Sequence, residues 1–160
     1  LASGPRMRPM RLMVVTVGRM KQGPEREMLN HYLDRVTWDV DLREVEEKKP
    51  LPPAQLIARE ADLLRAAIPD GARVIALDSG GRALTSPDLA NRLGQWRDEA
   101  DNPIVFLIGG ADGLDRSLTK QADLILSFGA VTWPHMLMRA LVMEQIYRAQ
   151  QILAGHPYHR

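Results

Sequence analysis

The sequence predicts an α/β fold, a mostly parallel sheet with helices on both faces. Three observations predict it. Short β-branched runs alternate with stretches of helical periodicity along the chain, several of those runs are apolar throughout, and glycine-containing turns follow the runs. A parallel sheet is covered on both sides, so its strands need no polar face.

The first run, Arg11-Leu-Met-Val-Val-Thr-Val17, ends at Gly18 and reads as a buried strand followed by a turn. From Glu25, the apolar residues Met28, Leu29, Tyr32, Leu33 and Val36 recur at three and four, the spacing of one helical face. Trp38, Val40, Leu42 and Val45 then alternate with polar residues, as in a half-exposed edge strand. The segment Lys48-Lys-Pro-Leu-Pro-Pro53 breaks the pattern. A second helix, with Leu56, Ile57, Leu63, Leu64 and Ala67 on its apolar side, runs to Pro69-Asp-Gly71.

Arg73 to Asp78 is the next strand, turned at Ser79-Gly-Gly81. Ser86-Pro87 opens a helix with Leu89, Leu93 and Trp96 on one face and Ser86 as its expected cap. A strand over Pro103 to Ile108 ends in Gly109-Gly110, Asp115 caps a short helix to Ala122, and Asp123 to Phe128 is a fifth strand. Pro134 starts the longest helix. Its predicted stripe is Met138, Leu141, Val142, Gln145, Ile146, Ala149, Ile152 and Leu153, and Gly155 with Pro157 ends it.

A chain of 160 residues, 45% of them hydrophobic, predicts one domain with one substantial core, read over residues 10–160. Residues 1–9 read as a disordered leader or an expression remnant, with Met7 or Met10 as the expected natural start. They lack the apolar stretch of a secretory signal, and no apolar run approaches the roughly 20 residues of a membrane span. With no cysteine, disulfides, thiolate metal sites and cysteine nucleophiles are excluded, and with them methylation of a pyrimidine C5 through a transient Cys adduct. A net charge of +1 is nearly neutral, so any RNA surface must be local. The best candidate is the stretch from His135, where Arg139, Arg148 and Arg160 stand with three histidines against Glu144.

Ligands of open α/β sheets bind beyond the carboxyl ends of the strands. Three segments fit that place: Asp78-Ser-Gly-Gly81, Gly109-Gly-Ala-Asp-Gly113 and Gly129-Ala-Val-Thr-Trp-Pro134. The spacing of Gly109, Gly110 and Gly113 matches neither a dinucleotide fingerprint nor a P-loop, which leaves a structural turn or a cradle for a nucleoside-type cofactor. His135, His156 and His159 lie at opposite ends of the long helix or beyond it, without a companion carboxylate at ligand spacing, and predict no metal site. Trp38 and Trp96 read as core, whereas Trp133 can pack or line a ligand. The tail His156-Pro-Tyr-His-Arg160 either frays or orders. If ordered, Tyr158 can stack a base, Arg160 can hold a phosphate and His159 can move a proton.

Taken together, Leu77-Asp78, Leu107-Ile-Gly-Gly110 with Gly113-Leu114, Leu126-Ser127, Thr132 with Pro134-His135, Met138-Arg139, Glu144-Gln-Ile-Tyr-Arg-Ala149 and the tail closely resemble one family. It is the RlmH family, the ribosomal large-subunit pseudouridine N3-methyltransferases, and the resemblance runs from about Met10 to Arg160. It implies the SPOUT fold, with a deep C-terminal trefoil knot that connectivity rules alone do not predict. It further implies a cytoplasmic homodimer with S-adenosyl-L-methionine (SAM) as cofactor, held at Leu77, Gly109 and the stretch Phe128, Gly129, Ala130, Val131, Thr132, Trp133. The implied substrate is a pseudouridine in helix 69 of 23S rRNA on the assembled 70S ribosome, with no membrane and no metal partner.

Methyl transfer to N3 needs alignment and removal of an imide proton. The candidates are His159 or a water as proton acceptor, Arg148 or Arg160 as support for the developing anion, and Arg139, Tyr158, His159 and Arg160 as the RNA contacts. Arg139 and Glu144 can equally form a buried pair across a dimer. Two alternatives stand beside this reading: a tRNA-methylating SPOUT relative, and a non-catalytic ribosome-associated binding protein.

Overall fold

The computed structural model describes residues 7–159, so Arg160 and most of the leader lie outside the described residues. In chain order the elements are β1 (Arg11–Val17), α1 (Pro24–Leu33), β2 (Asp39–Val45), α2 (Pro53–Ala67), β3 (Arg73–Arg82), α3 (Ser86–Glu99), β4 (Ile104–Ile108), α4 (Arg116–Gln121), β5 (Leu124–Leu126) and α5 (His135–Leu153). A 3-10 turn, Pro157–His159, follows.

All five strands are parallel, in the order β2-β1-β4-β3-β5. The period of two along β1 and β4 divides the core cleanly. Leu12, Val14, Ile104, Phe106 and Ile108 face the layer of α1, α3 and α5. Met13, Val15, Val17, Val105 and Leu107 face α2 and α4, where Ala61, Leu64 and Leu118 cover them. This two-sided cover explains why β1 and β4 carry almost no polar residue. β2 is the predicted edge strand, and Leu42 is exposed on it.

Several expectations need correction. β3 does not turn at Ser79: it runs on to Arg82, and both Leu77 and Arg82 register with Leu126 across a bulge. β5 is shorter than expected because Ser127 leaves the ladder: its N–H donates to the Arg82 carbonyl and its hydroxyl bonds Ser79. Gly81 makes this possible, since a Cβ there would stand 2.5 Å from the Ile125 carbonyl oxygen. Thr85, not Ser86, caps α3, its hydroxyl accepting from Asp88 N–H, while Ser86 donates to Gln145. Asp115 caps α4 as predicted. Met28 points outward from α1.

The longest correction concerns α5. Its buried residues are Arg139, Ala140, Val142, Met143, Ile146, Ala149 and Gln150, a broader face than the predicted stripe. The reason is enclosure: α5 packs on the sheet between α1 and α3, so no single stripe meets the core. Polar groups then enter the interior and must find partners. Gln150 Oε1 accepts from Thr37 N–H (2.6 Å) and Trp38 N–H (3.3 Å), tying α5 to the α1–β2 connection. Arg139 donates through Nη2 to the Val17 and Gly18 carbonyls (2.7 and 2.8 Å) and through Nη1 to Glu44 (2.6 Å). It therefore fastens the first turns of α5 to the ends of β1 and β2.

Replacing Arg139 by Ala strands two carbonyls and a carboxylate. Breaking a fully buried pair costs about 3–5 kcal/mol. The side chain of Glu44 keeps 42% exposure, so the expected loss is nearer the lower end, read as a fall in the urea midpoint of unfolding.

Candidate active site

Beyond the carboxyl ends of β3, β4 and β5 lies a cavity of about 240 Å³. Each of the three predicted loops contributes to it. Leu77, Asp78 and Ser79 come from β3, Ile108 to Ala111 and Gly113 from the segment after β4, and Leu126 with most of Phe128 to Trp133 from beyond β5. Of the positions singled out for the cofactor, Leu77, Gly109, Phe128, Gly129, Val131, Thr132 and Trp133 line the cavity, and Ala130 does not. His135 and Met138, from the first turn of α5, complete the wall. His135 carries a sequence signal, a Pro-His pair opening a helix after a glycine loop.

The walls hold their shape through backbone bonds. Gly113 N–H donates to the Gly110 carbonyl (3.0 Å) and folds that segment back on itself. A Cβ on Gly109 would lie 2.5 Å from the Gly113 carbonyl carbon, so only glycine fits. Trp133 Nε1 donates to the Phe128 carbonyl (3.2 Å) and closes the last loop. Ser127 Oγ accepts from Gly129 N–H (3.1 Å) at its base. The result is a glycine-walled slot with apolar sides, free backbone groups and little charge, a fit for a flat nucleoside joined to a short polar chain.

Charge in the cavity is confined to one carboxyl and one imidazole among the described lining residues, Asp78 and His135. Burial, and then the nearby Arg139 guanidinium, hold the His135 pKa below the ordinary histidine value. On the far side of Gly110, burial and the Asp112 carboxylate raise the pKa of Glu60.

The tail forms a second cluster. Tyr158 stacks on Tyr147 with ring centroids 4.7 Å apart, and its hydroxyl donates to Glu144 Oε1 (3.2 Å). Arg148 donates to the same oxygen through Nε and Nη2 (2.9 and 2.6 Å), and its guanidinium carbon stands 4.9 Å from the Tyr158 ring centroid. Its Nη1 lies 3.1 Å from His159 Nδ1. The tail is thus ordered against α5 rather than frayed. Burial, together with the Glu144 carboxylate, pushes the Tyr158 hydroxyl up to about 12.

The structure brings Arg148, Tyr158 and His159 together, and Arg139 is not with them. Expected at an RNA surface or paired with Glu144 across a dimer, Arg139 is buried in this chain at the sheet end and paired with Glu44, while Glu144 takes Arg148 one turn along. Within one chain the two positions are five apart on α5, which turns their side chains away from one another. Among the described residues no group of three potential ligands could hold a metal, and no helix is long and apolar enough to cross a membrane.

Residues 10–159 match the family described as "Predicted SPOUT methyltransferase". The chain is 54% identical over 151 residues to the ribosomal RNA large subunit methyltransferase H of Paramagnetospirillum magneticum, covering 94% of this chain and 99% of that one. Its fold is similar to that of a probable methylase family protein from Haemophilus influenzae Rd KW20 (TM-score 0.58, 12% identity, 94% of this chain and 71% of that one). It is also similar to a methyltransferase candidate from Legionella pneumophila solved with SAM bound (TM-score 0.50, 10% identity, 90% of this chain and 68% of that one). At such identities the likeness is one of fold.

Two outcomes follow from the geometry. Gly109→Ala forces the loop apart and costs about 1–3 kcal/mol by overpacking, read as a lower thermal midpoint. In an alkaline titration followed by tyrosinate absorbance, one tyrosine titrates near 12. Glu144→Gln removes the carboxylate charge and moves that tyrosine back toward about 10.

Proposed function

The chain belongs to the SPOUT methyltransferases, in the family of ribosomal RNA large subunit methyltransferase H, and from that premise we propose that it methylates N3 of a pseudouridine in helix 69 of bacterial 23S rRNA. On this reading it takes the methyl group from SAM and acts in the cytoplasm on the assembled 70S ribosome. One observation carries the reading. The positions at which the family resemblance puts the cofactor, Leu77, Gly109 and the 128–133 segment, far apart in sequence, converge on a single cavity. The deep knot belongs to the same reading.

The backbone of Gly109 and of the 128–133 segment would hold the adenine, Leu77 and Phe128 would pack beside it, and Asp78 would face the cationic end. SAM supplies an electrophilic methyl carbon on sulfonium. The protein's part is to align the acceptor with that carbon, exclude water and manage the imide proton. Arg148 and Arg160 are suited to steady negative charge as it develops between two carbonyl oxygens.

Within one chain Arg148 stands away from the cavity. Ten residues of α5 separate Met138, on the cavity wall, from Arg148, which amounts to about 15 Å along the helix axis. A homodimer answers this separation, with the tail cluster of one copy brought to the cavity of the other. Exposed apolar Val131 and Trp133 at the cavity rim support such an interface. A near-neutral chain that recognises a composite ribosomal surface has no need to grip naked RNA strongly.

The test is labelled SAM offered with 70S ribosomes, free 50S subunits and naked 23S rRNA from a strain lacking the modification. Label at a helix 69 pseudouridine, chiefly with 70S, is the expected result, and Arg148→Ala should lower kcat by about 10²- to 10³-fold, the size of effect seen when one charge-stabilising donor is lost. SAM binding with no transfer to any of the three would move the substrate to tRNA, and absence of SAM binding would leave a binding protein.

A further inference from the structure

We propose that His135 is the catalytic residue that accepts the N3 proton of the target base; the proposal rests on the methyl-transfer reading above. The starting point is that His159, the sequence candidate, is already engaged. A guanidinium can only donate, so Arg148 Nη1 at 3.1 Å takes the lone pair of His159 Nδ1 and leaves the ring proton on Nε2. A neutral imidazole in that state has no free lone pair with which to accept a second proton. Arg148 cannot readily release it, because Glu144 holds the guanidinium through two further nitrogens.

His135 presents the opposite case. It is the first residue of α5 and lines the cavity itself. Among the described residues no group hydrogen-bonds its ring on the cavity wall, and burial, then Arg139, lowers its pKa. The charged groups around it are few. Arg139 stands one turn on along α5, with Glu44 of β2 behind it, and Asp78 faces the cavity from β3. Asp112, in the loop after β4, acts on Glu60 instead. The Asp78 carboxylate is bonded to its own loop, accepting from Gly80 N–H at 2.9 Å. Arg139 raises the cost of charging the imidazole and, through Val17, Gly18 and Glu44, fixes the turn that carries it. It is a positioning residue for His135.

The step balances without another reagent. The N3 proton passes to the open imidazole nitrogen, the electron pair left on N3 forms the bond to the methyl carbon, and the carbon–sulfur bond breaks with its pair remaining on sulfur. The imidazolium then returns its proton to water. Because the active form is the neutral ring, kcat should rise with pH through the His135 titration and stay level above it.

The experiment compares the unaltered protein with His135→Gln and His159→Gln. SAM affinity is read by calorimetry, turnover on 70S ribosomes by mass spectrometry of the target nucleotide, and imidazole titration by NMR. The expected result is SAM affinity near that of the unaltered protein in H135Q with kcat lower by about 10²- to 10³-fold, within the range of general base catalysis. The His135 resonance should titrate below about 6.5, the ordinary histidine value, and the acid limb of kcat should share its midpoint. The proposal is overturned if H135Q keeps its kcat, if SAM affinity falls in step with activity, or if the acid limb follows His159. Should H135Q not fold, disagreement between the NMR midpoint and the kcat limb of the unaltered protein overturns it equally. An unaltered protein that binds SAM and leaves helix 69 unmethylated removes the functional reading, and the proposal with it.

Discussion

The buried guanidinium of Arg139 holds the functional end of this molecule together. Three elements meet there, the carboxyl ends of β1 and β2 and the first turns of α5, and none packs against the others with apolar surface alone. Burial disfavours the charged guanidinium, and Glu44 with two backbone carbonyls compensates, leaving only Nε without a partner among the described residues. A cation in such a place is stable only when its acceptors are in position. The bonds thus set the direction in which α5 leaves the sheet, and with it the wall of the cavity that His135 and Met138 form.

The rest of the site is a consequence of that helix being long. Its first turn belongs to the cavity and its last turns carry Glu144, Tyr147 and Arg148, against which the tail folds. The two ends differ in chemistry. At the cavity, burial and a neighbouring cation lower the pKa of an imidazole; at the tail, one carboxylate gathers an arginine and a phenol around itself. One end suits a nucleoside and a proton transfer, the other suits an anion. One rigid helix cannot bring its own ends together, so within a single chain the two sites stay apart.

Much of this was legible in the residues. β1, β4 and the edge character of β2 followed from period-two and uniformly apolar runs, and the Asp115 cap from its place before a short helix. The segments after β4 and β5 that line the cavity were legible because glycine lies just beyond each of those strands. What escaped was long-range. Nothing near Ser79 or Gly81 announces that β3 continues past its bulge, since the partner that draws it on, the 125–127 segment, lies more than forty residues away. The stripe on α5 was misread for a related reason: enclosure by α1, α3 and the sheet buries polar Arg139 and Gln150, which a hydrophobic pattern counts as surface.

The sequence by itself determined the α/β class, the number and order of the main elements, the family, and the segments that line the cavity, because period, turn chemistry and motif are local properties. Only the tertiary structure decided the partners of the charged side chains. It committed Arg139 to the sheet ends, paired His159 with Arg148, and placed His135 on the cavity wall. The physical reason is that a side chain's role depends on desolvation and on the hydrogen-bond partners within a few ångströms of it, and those neighbours come from strands and helices that the chain brings together only when it folds.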